Sequence, residues 1–559
     1  MATAMDNKLK YKKYDRNQLI DEITQLKKNK GLGISWEESR EIVVDELQEN
    51  LPFLVNDFNK NIEGNENNIN SIIEGENLHS LAILNQTHRK KIDLIYIDPP
   101  YNTGAESWKY NNKFINKEDA FKHSKWLQFM KNRLILAKDL LKDEGIIVVT
   151  IDNYEFGPLT LLMDEIFRET NRLNILSIVH NPRGRSDDKF FATSHEYALI
   201  YGKNINFSFT NKLKLTEEQK EDYPEEDEES RYRLIPFQRS GSNSTPKERP
   251  NLYYPLYINK KTNEVSLSLR KKNNLWIEVY PKDSENKKRV WRWGKETLIE
   301  RMTEIHISFS KNKYKINVKD RIKEGRIAKT VWKDPKYDAS SHGTNRIKKI
   351  LGDKKFDYPK SIYAVKDIVD ICTRHNKKAL ILDFFAGSGT TGHAVLELNK
   401  DDNGERKFIL CTNNENNVCT EICYPYIKKI LKNFPGIGLN YYKINHTDFN
   451  NLDKTKQIIF NCYIETVLFK ENIYKKVENK KNFVVCENIS KILIIVKNQL
   501  FIDEIKKYLN HKNKETIIYI FSLAEDNFSE EFGDFNVKVF SFPTSLINNH
   551  RVIINNICN

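Results

Sequence analysis

Ala379-Leu380-Ile381-Leu382-Asp383-Phe384-Phe385-Ala386-Gly387-Ser388-Gly389-Thr390-Thr391-Gly392 is the stretch that decides the fold of this chain. An apolar, β-favouring run closes at Asp383-Phe384. Gly387, Gly389 and Gly392 then fall at G-x-G-x-x-G spacing, and a helical pattern follows through Leu398. Strand, glycine turn and helix in that order form a loop on which a nucleotide-like ligand lies against bare backbone and a helix N-terminus. The same turn also suits the pyrophosphate of an NAD-type oxidoreductase, or a purely structural tight turn.

Outward from this loop the alternation continues. Lys407 to Cys411 reads as the next strand. Upstream, Ile92 to Ile97 is β-rich and ends at Asp98-Pro99-Pro100-Tyr101, where the second proline cannot continue a ladder. A helix is expected from about Lys125 to Leu141, with Trp126, Leu127, Met130, Leu134, Ala137 and Leu141 on one face, and Gly145 introduces the strand Ile146 to Ile151. Strands alternating with helices predict an α/β fold, a Rossmann-like, mostly parallel sheet covered on both sides.

The rhythm is lost over 203–335, where polar, basic and aromatic residues dominate, which predicts an inserted domain. The segment after 450 has strand-like runs at Phe483 to Cys486, Ile492 to Val496 and Thr516 to Phe521, expected as a further α/β unit. At the other end, Asn17 to Lys28 has helical periodicity. Ser35-Trp36-Glu37-Glu38 fits a capping box opening a second helix through Leu47, with Pro52 marking its end. The expected division is therefore 1–55, 56–202, 203–335, 336–448 and 449–559.

Composition narrows the class. The 559 residues are 39% apolar and 30% charged, enough for several cores in a soluble chain. No apolar run approaches the roughly 18 to 20 residues that span a bilayer and the N-terminus is polar, so a cytoplasmic protein with no membrane contact is expected. The seven cysteines are odd in number, scattered and free of a CxxC pair, which points to reduced structural thiols and no metal site. The net charge of +13 is concentrated: residues 260–333 hold 21 Lys or Arg against 9 Asp or Glu, interleaved with Trp276, Tyr280, Trp291, Trp293 and Tyr314. Such a segment suits a solvated face or phosphate neutralisation with base and sugar contacts. Glu217 to Glu229, with nine acids and one Lys, reads as a solvated loop or linker.

Asp98-Pro99-Pro100-Tyr101 lies at a strand's carboxyl end, where open α/β sheets place ligands. A carboxylate and a proline carbonyl can each accept one N–H bond from a ring-conjugated amine. That grip localises its lone pair toward an electrophilic carbon. Tyr101 adds a face on which an extruded base can stack.

Together the two motifs resemble the β group of amino-methyltransferases, in particular the Mod subunits of type III restriction-modification systems. In that group D-P-P-Y precedes F-x-G-x-G, with a target recognition domain between them. The match runs through Ile97 to Gly104, Trp126 to Met130 with Arg133-Leu134, and Gly145 to Asp152. It resumes at Arg249 to Pro255, Trp291 to Trp293, Phe356 to Ser361 and Asp383 to Val395. The resemblance implies a methyl transfer from S-adenosylmethionine to the N6 amino group of adenine in double-stranded DNA, with Asp98, Pro99, Pro100 and Tyr101 as the catalytic set. It implies that Phe384, Phe385, Ala386, Gly387, Ser388, Gly389 and Thr391 line the cofactor, that Asp383 positions its methionine part, and that Lys360 and Ser361 pack against it. Glu415 is the candidate for the ribose hydroxyls, at an unusual spacing because Cys411-Thr412-Asn413-Asn414 intervenes.

In the inserted domain, Arg239, Ser242, Asn243, Trp291, Arg292 and Trp293 are the candidate DNA contacts, although the Trp-Arg-Trp triplet suits domain packing equally well. A homodimer and a separate restriction (Res) subunit are the implied partners. An N4-cytosine methyltransferase shares this chemistry but more often has Ser as its first motif residue. A non-enzymatic DNA-binding module with a decayed core is the other alternative, and both motifs are intact.

Overall fold

The computed structural model describes residues 15–16, 36, 41–103, 105–110, 113–116, 118–269, 275–310, 313–352, 356, 359–448, 452–480, 482–509, 514–522 and 528–558. The chain divides into two compact units, 1–211 with 329–559, and 212–328.

The larger unit is built on a ten-stranded sheet. In chain order its strands are β1 (Asn50–Asn56), β2 (Ile69–Glu74), β3 (Ile92–Ile97), β4 (Leu141–Ile151), β5 (Arg172–Val179), β6 (His195–Gly202), β7 (Val331–Trp332), β8 (Leu380–Asp383), β9 (Lys407–Thr412) and β10 (Gly438–Asp448). Their order across the sheet is β1-β10-β2-β9-β8-β3-β4-β6-β5-β7. Only β1 and β6 run against the rest. The central strands are near-continuous apolar runs, as burial on both faces requires: in β3, Ile92, Leu94, Ile95 and Ile97 are fully buried.

From β3 the chain winds toward β4, and from β8 it winds the opposite way toward β9. The β8–β3 boundary is thus the point where strand order reverses, and ligands of such sheets bind in the crevice outside it.

Helices cover the faces. The helix Lys122–Leu140 presents Trp126, Met130, Leu134 and Ala137 at helical spacing to the core, all fully buried. Each large side chain placed there contributes about 1.5–3 kcal/mol of transfer free energy. The glycine turn leads into the helix Thr390–Asp402, as the sequence implies.

Two expectations at the ends are corrected. The capping box at 35–38 and the helix at 17–28 lie outside the described residues, Trp36 excepted; the described helix is Ile42–Glu49. Pro52 does not simply end it, because the chain passes directly into β1, and Pro52 sits within that strand. A proline is tolerated there because β1 is an edge strand.

The residues after 449 form a five-stranded sheet with strands Phe483–Glu487, Lys491–Val496 and Glu515–Ser522 at its heart. They belong to the larger unit because cores are shared. Leu51 and Phe53 of β1 pack with Tyr463, Val467 and Leu493, while Ile553, Ile554 and Ile557 join the core of the main sheet.

The inserted unit contains a four-stranded antiparallel sheet (Glu225–Glu226, Arg231–Pro236, Ile305–Ser310, Lys313–Arg321) and a three-stranded one (Leu256–Asn259, Val265–Ser266, Trp276–Val279). Its core holds Phe237, Tyr254, Leu256, Leu298 and Val318. The acidic stretch is more than a linker: Glu217–Glu221 is a helix with a Thr216/Gln219 capping box. Asp227 is held by Arg321 at 2.6 Å and Lys319 at 2.7 Å, which ties the acidic loop to the basic strand.

Candidate active site

Parallel register fixes the relation of the two motifs. Ile381 and Leu382 of β8 pair with Leu94 and Ile95 of β3. Asp383 and Asp98 therefore end neighbouring strands on one edge of the sheet, close enough for their charges to interact. Asp152 after β4 and His180 after β5 reach the same edge, and the antiparallel β6 brings Glu196 there from its amino end.

At the end of β3, Asp98 retains 27% side-chain exposure. Its Oδ1 accepts hydrogen bonds from the Tyr101 hydroxyl (2.7 Å) and the Thr150 hydroxyl (2.7 Å). The turn is rigid: Pro99 is buried, and the carbonyl of Pro100 accepts the Trp126 indole N–H at 2.7 Å. Asn102 closes the turn in the left-handed region (φ 56°), where its side chain donates to the Lys122 carbonyl and the Glu155 carboxylate.

Lys360 stands where the sequence did not put it. It does not lie on the glycine turn; its Nζ is 3.1 Å from Asp98 Oδ1 and 2.5 Å from Glu196 Oε2, hydrogen-bonds the Tyr101 hydroxyl, and lies 4.6 Å from that ring's centroid. Burial pushes the Asp98 carboxyl above its ordinary range, the Lys360 ammonium pulls it back in part, and the Glu196 carboxylate adds to the rise. Burial opposes ionisation of Lys360 as well, but the two carboxylates outweigh it and hold its pKa up. At Glu196 burial is overcome by Lys360 and His180, so this carboxylate stays below the usual range.

Glu196 is the functional residue that sequence reasoning missed. The only local signal was one carboxylate inside the apolar run Tyr197 to Gly202; its partner Lys360 is 164 residues away.

The second motif is organised around Asp383. Its Oδ1 accepts the Phe385 N–H (3.0 Å) and its Oδ2 the Thr391 hydroxyl (2.5 Å), so the carboxylate fastens both ends of the glycine turn. Gly387 and Gly389 adopt φ +50° and +84°, which L side chains rarely do. A Cβ on Gly389 would meet Ile427 at 3.2 Å and Cys423 at 3.3 Å.

Ser388 bonds Thr390, Ala386 and Phe384 are buried, and the Phe385 ring lies 5.8 Å from Phe129. Ser361 begins the helix Ile362–Thr373 and donates to the Lys336 carbonyl. Glu415 lies in a short turn just beyond β9, on the same edge as Asp383.

Burial pushes the Asp383 carboxyl up to about 7 against its two hydrogen bonds, and that of Asp152 up to about 6. Among the described residues, Asp152 Oδ2 and His180 Nδ1 are buried without a hydrogen-bond partner.

In the inserted unit the candidates separate. Trp291 is only 2% exposed, stacks on Phe237 and donates its indole N–H to the Tyr254 carbonyl, so it is a core residue and not a surface contact. Arg239, Arg292 and Trp293 line a cavity of about 650 Å³ together with Arg301, Lys319 and Lys323. Ser242 and Asn243 are exposed in a turn, Asn243 with φ 54°.

Residues 92–432 match the family model described as DNA methylase. The chain is 38% identical over 377 residues to the type II methyltransferase M.KpnI of Klebsiella pneumoniae, covering 67% of this chain and 88% of that protein. It is 34% identical over 373 residues to the EcoPI Mod subunit, a type III restriction-modification enzyme of Escherichia phage P1, covering 61% of this chain and only 57% of that one. A solved DNA modification methylase from Thermus thermophilus, complexed with S-adenosyl-L-methionine, aligns over 67% of this chain and 99% of its own at 14% identity and a TM-score of 0.30. The matched span contains the D-P-P-Y turn, the glycine turn and the Lys360–Glu196 pair, and the chain belongs to the DNA methylase family.

Proposed function

We propose that this chain transfers a methyl group from S-adenosylmethionine to the N6 amino group of adenine in double-stranded DNA, as the modification component of a restriction-modification system. The convergence of Asp98 and Asp383 at the strand-order reversal carries this assignment. The cofactor fits the chemistry of that edge. Asp383 is a buried carboxylate with no cation among its described partners, and the turn beside it bares backbone at Gly387 and Gly389. A ligand bringing positive charge relieves the one and lies against the other.

When bound, S-adenosylmethionine supplies a methyl group activated by its sulfonium centre. The Asp98 carboxylate and the Pro99 carbonyl accept the two N–H bonds of an extruded adenine, turning the nitrogen lone pair outward. Asp98, with its carboxyl raised by burial, can take the proton that the amine sheds. Tyr101, fixed by its hydroxyl, stacks against the base. Lys360 holds the acceptor atoms of Asp98 until the base arrives and then yields them.

The relatives named Mod subunits support a separate restriction subunit and a homodimer as partners. A cytoplasmic site belongs to the same reading, as the setting in which chromosomal DNA is modified. No helix among the described residues is long and apolar enough to cross a membrane. N4-cytosine transfer would use the same grip; Asp rather than Ser at position 98 favours adenine.

The test is incubation of the full chain with genomic DNA and S-adenosylmethionine carrying a deuterated methyl, followed by digestion and mass analysis of the nucleosides. Labelled N6-methyldeoxyadenosine is expected. Labelled N4-methyldeoxycytidine would replace the base assignment, and unlabelled DNA would overturn the function.

A further inference from the structure

Two phenylalanines stand out on the larger unit, Phe190 at 82% exposure and Phe191 at 90%. Large aromatic side chains are seldom left so bare without a partner. They lie between β5 and β6, in a segment whose two feet are His180 and Glu196, so it rises directly from the catalytic edge.

The segment is built as a finger. Asn181 N–H donates to the Ser194 carbonyl and Arg185 N–H to the Thr193 carbonyl, both at 3.1 Å. The Asp188 carboxylate accepts the Thr193 N–H at 2.7 Å. Gly184 takes φ +74°, and a Cβ there would stand 2.6 Å from that of Ala192, so only glycine lets the two sides close. The phenylalanines follow on the returning side, next to Lys189, whose ammonium lies 5.3 Å from the Phe190 centroid.

Charge favours a polyanionic partner. Arg183, Arg185 and Lys189 are exposed on the finger, and none forms an ion pair within 4.0 Å among the described residues. Of its two acids, Asp188 is engaged by Thr193 and Asp187 by Ser186. Arg185 is close enough to influence Asp152 and His180 at the site.

We propose that Phe190 and Phe191 are a DNA wedge that enters the duplex at the target base pair and fills the stack when the base turns out toward Asp98. The proposal rests on the methyltransferase function proposed above. A base can reach Asp98 only by leaving the stack, which costs a few kcal/mol of unstacking and unpairing. Apolar side chains inserted between base steps offset such costs in other DNA-bending proteins. A finger whose feet are active-site residues and whose tip is two bare aromatic rings among cations has the chemistry for that insertion.

The test compares the native chain with Phe190→Ala/Phe191→Ala. Two duplexes carry the modified site found in cells expressing the protein, one with the target adenine paired and one with it opposite an abasic position. With single-turnover kinetics at saturating S-adenosylmethionine, the variant should lose about tenfold or more on the paired duplex and about twofold or less on the other, since no stack need be broken there. Fluorescence of 2-aminopurine at the target should rise on binding to the native chain and not to the variant. Equal losses on both duplexes, or none, would overturn the wedge. So would a loss that tracks a change in oligomeric mass, which would make the rings a protein contact. A native chain inactive on both duplexes would overturn the methyltransferase assignment itself.

Discussion

Lys360 Nζ lies 3.1 Å from Asp98 Oδ1, so a cation occupies the acceptor that a substrate amine needs. The contact is held from the other side by Glu196, at 2.5 Å from the same ammonium. In the free protein Lys360 therefore acts on Asp98 as a counter-charge, lowering a carboxyl that burial raises.

Removing that charge has a definite sign. In Lys360→Met the Asp98 pKa rises further, and the acid limb of kcat/KM, which reports the free enzyme, moves to higher pH. A pH profile of the variant against the native protein checks this; an unmoved or lowered limb contradicts it.

Asp383 predicts proton release on cofactor binding. Its folded pKa of about 7 lies above an ordinary carboxyl value of about 4, so the folded state binds the proton longer than the unfolded chain does. Stability contributed by this group thus falls as pH rises through that window, and the penalty is fully present above the folded value. A cationic ligand favours the carboxylate, so S-adenosylmethionine binding near pH 6 should release protons. Calorimetry in buffers of different ionisation enthalpy measures the release, and buffer-independent heats would contradict it.

Gly389→Ala should destabilise the chain by about 1–2 kcal/mol, the cost of a left-handed backbone for an L residue. The added methyl also crowds Ile427 and Cys423. Denaturant melts give the stability, and an S-adenosylmethionine titration of the folded variant should show weakened binding.

The inserted unit separates two neighbours. Trp291→Ala removes a buried indole and should cost about 3–5 kcal/mol of stability. Arg239→Ala/Arg292→Ala should leave stability nearly unchanged, weaken DNA binding and lower the salt slope of log K by about 2. Melting curves and salt-dependent binding isotherms distinguish these outcomes from two equivalent surface residues.

Both chemical motifs were legible because each is local. Asp98 to Tyr101 and Asp383 to Gly392 combine an apolar strand with a turn that only proline or glycine permits, and parallel pairing then forces them onto one edge. Glu196 and the true position of Lys360 were not legible, since an antiparallel strand and a loop meet there across long separations that no periodicity encodes. Pro52 misled because a proline that ends a helix is also compatible with an edge strand. Trp291 and Trp293 look alike in sequence, and only the stacking of Phe237 on the first separates core from cleft.

The most direct test is single-turnover methyl transfer by Asp98→Ala, with S-adenosylmethionine and DNA affinity measured on the same preparation. Loss of one preorganised acceptor should slow transfer by about 100-fold or more while the variant remains folded and binds both ligands. Methylation of adenine at the native rate by that variant would contradict the grip of Asp98 and Pro99 on the reacting amine.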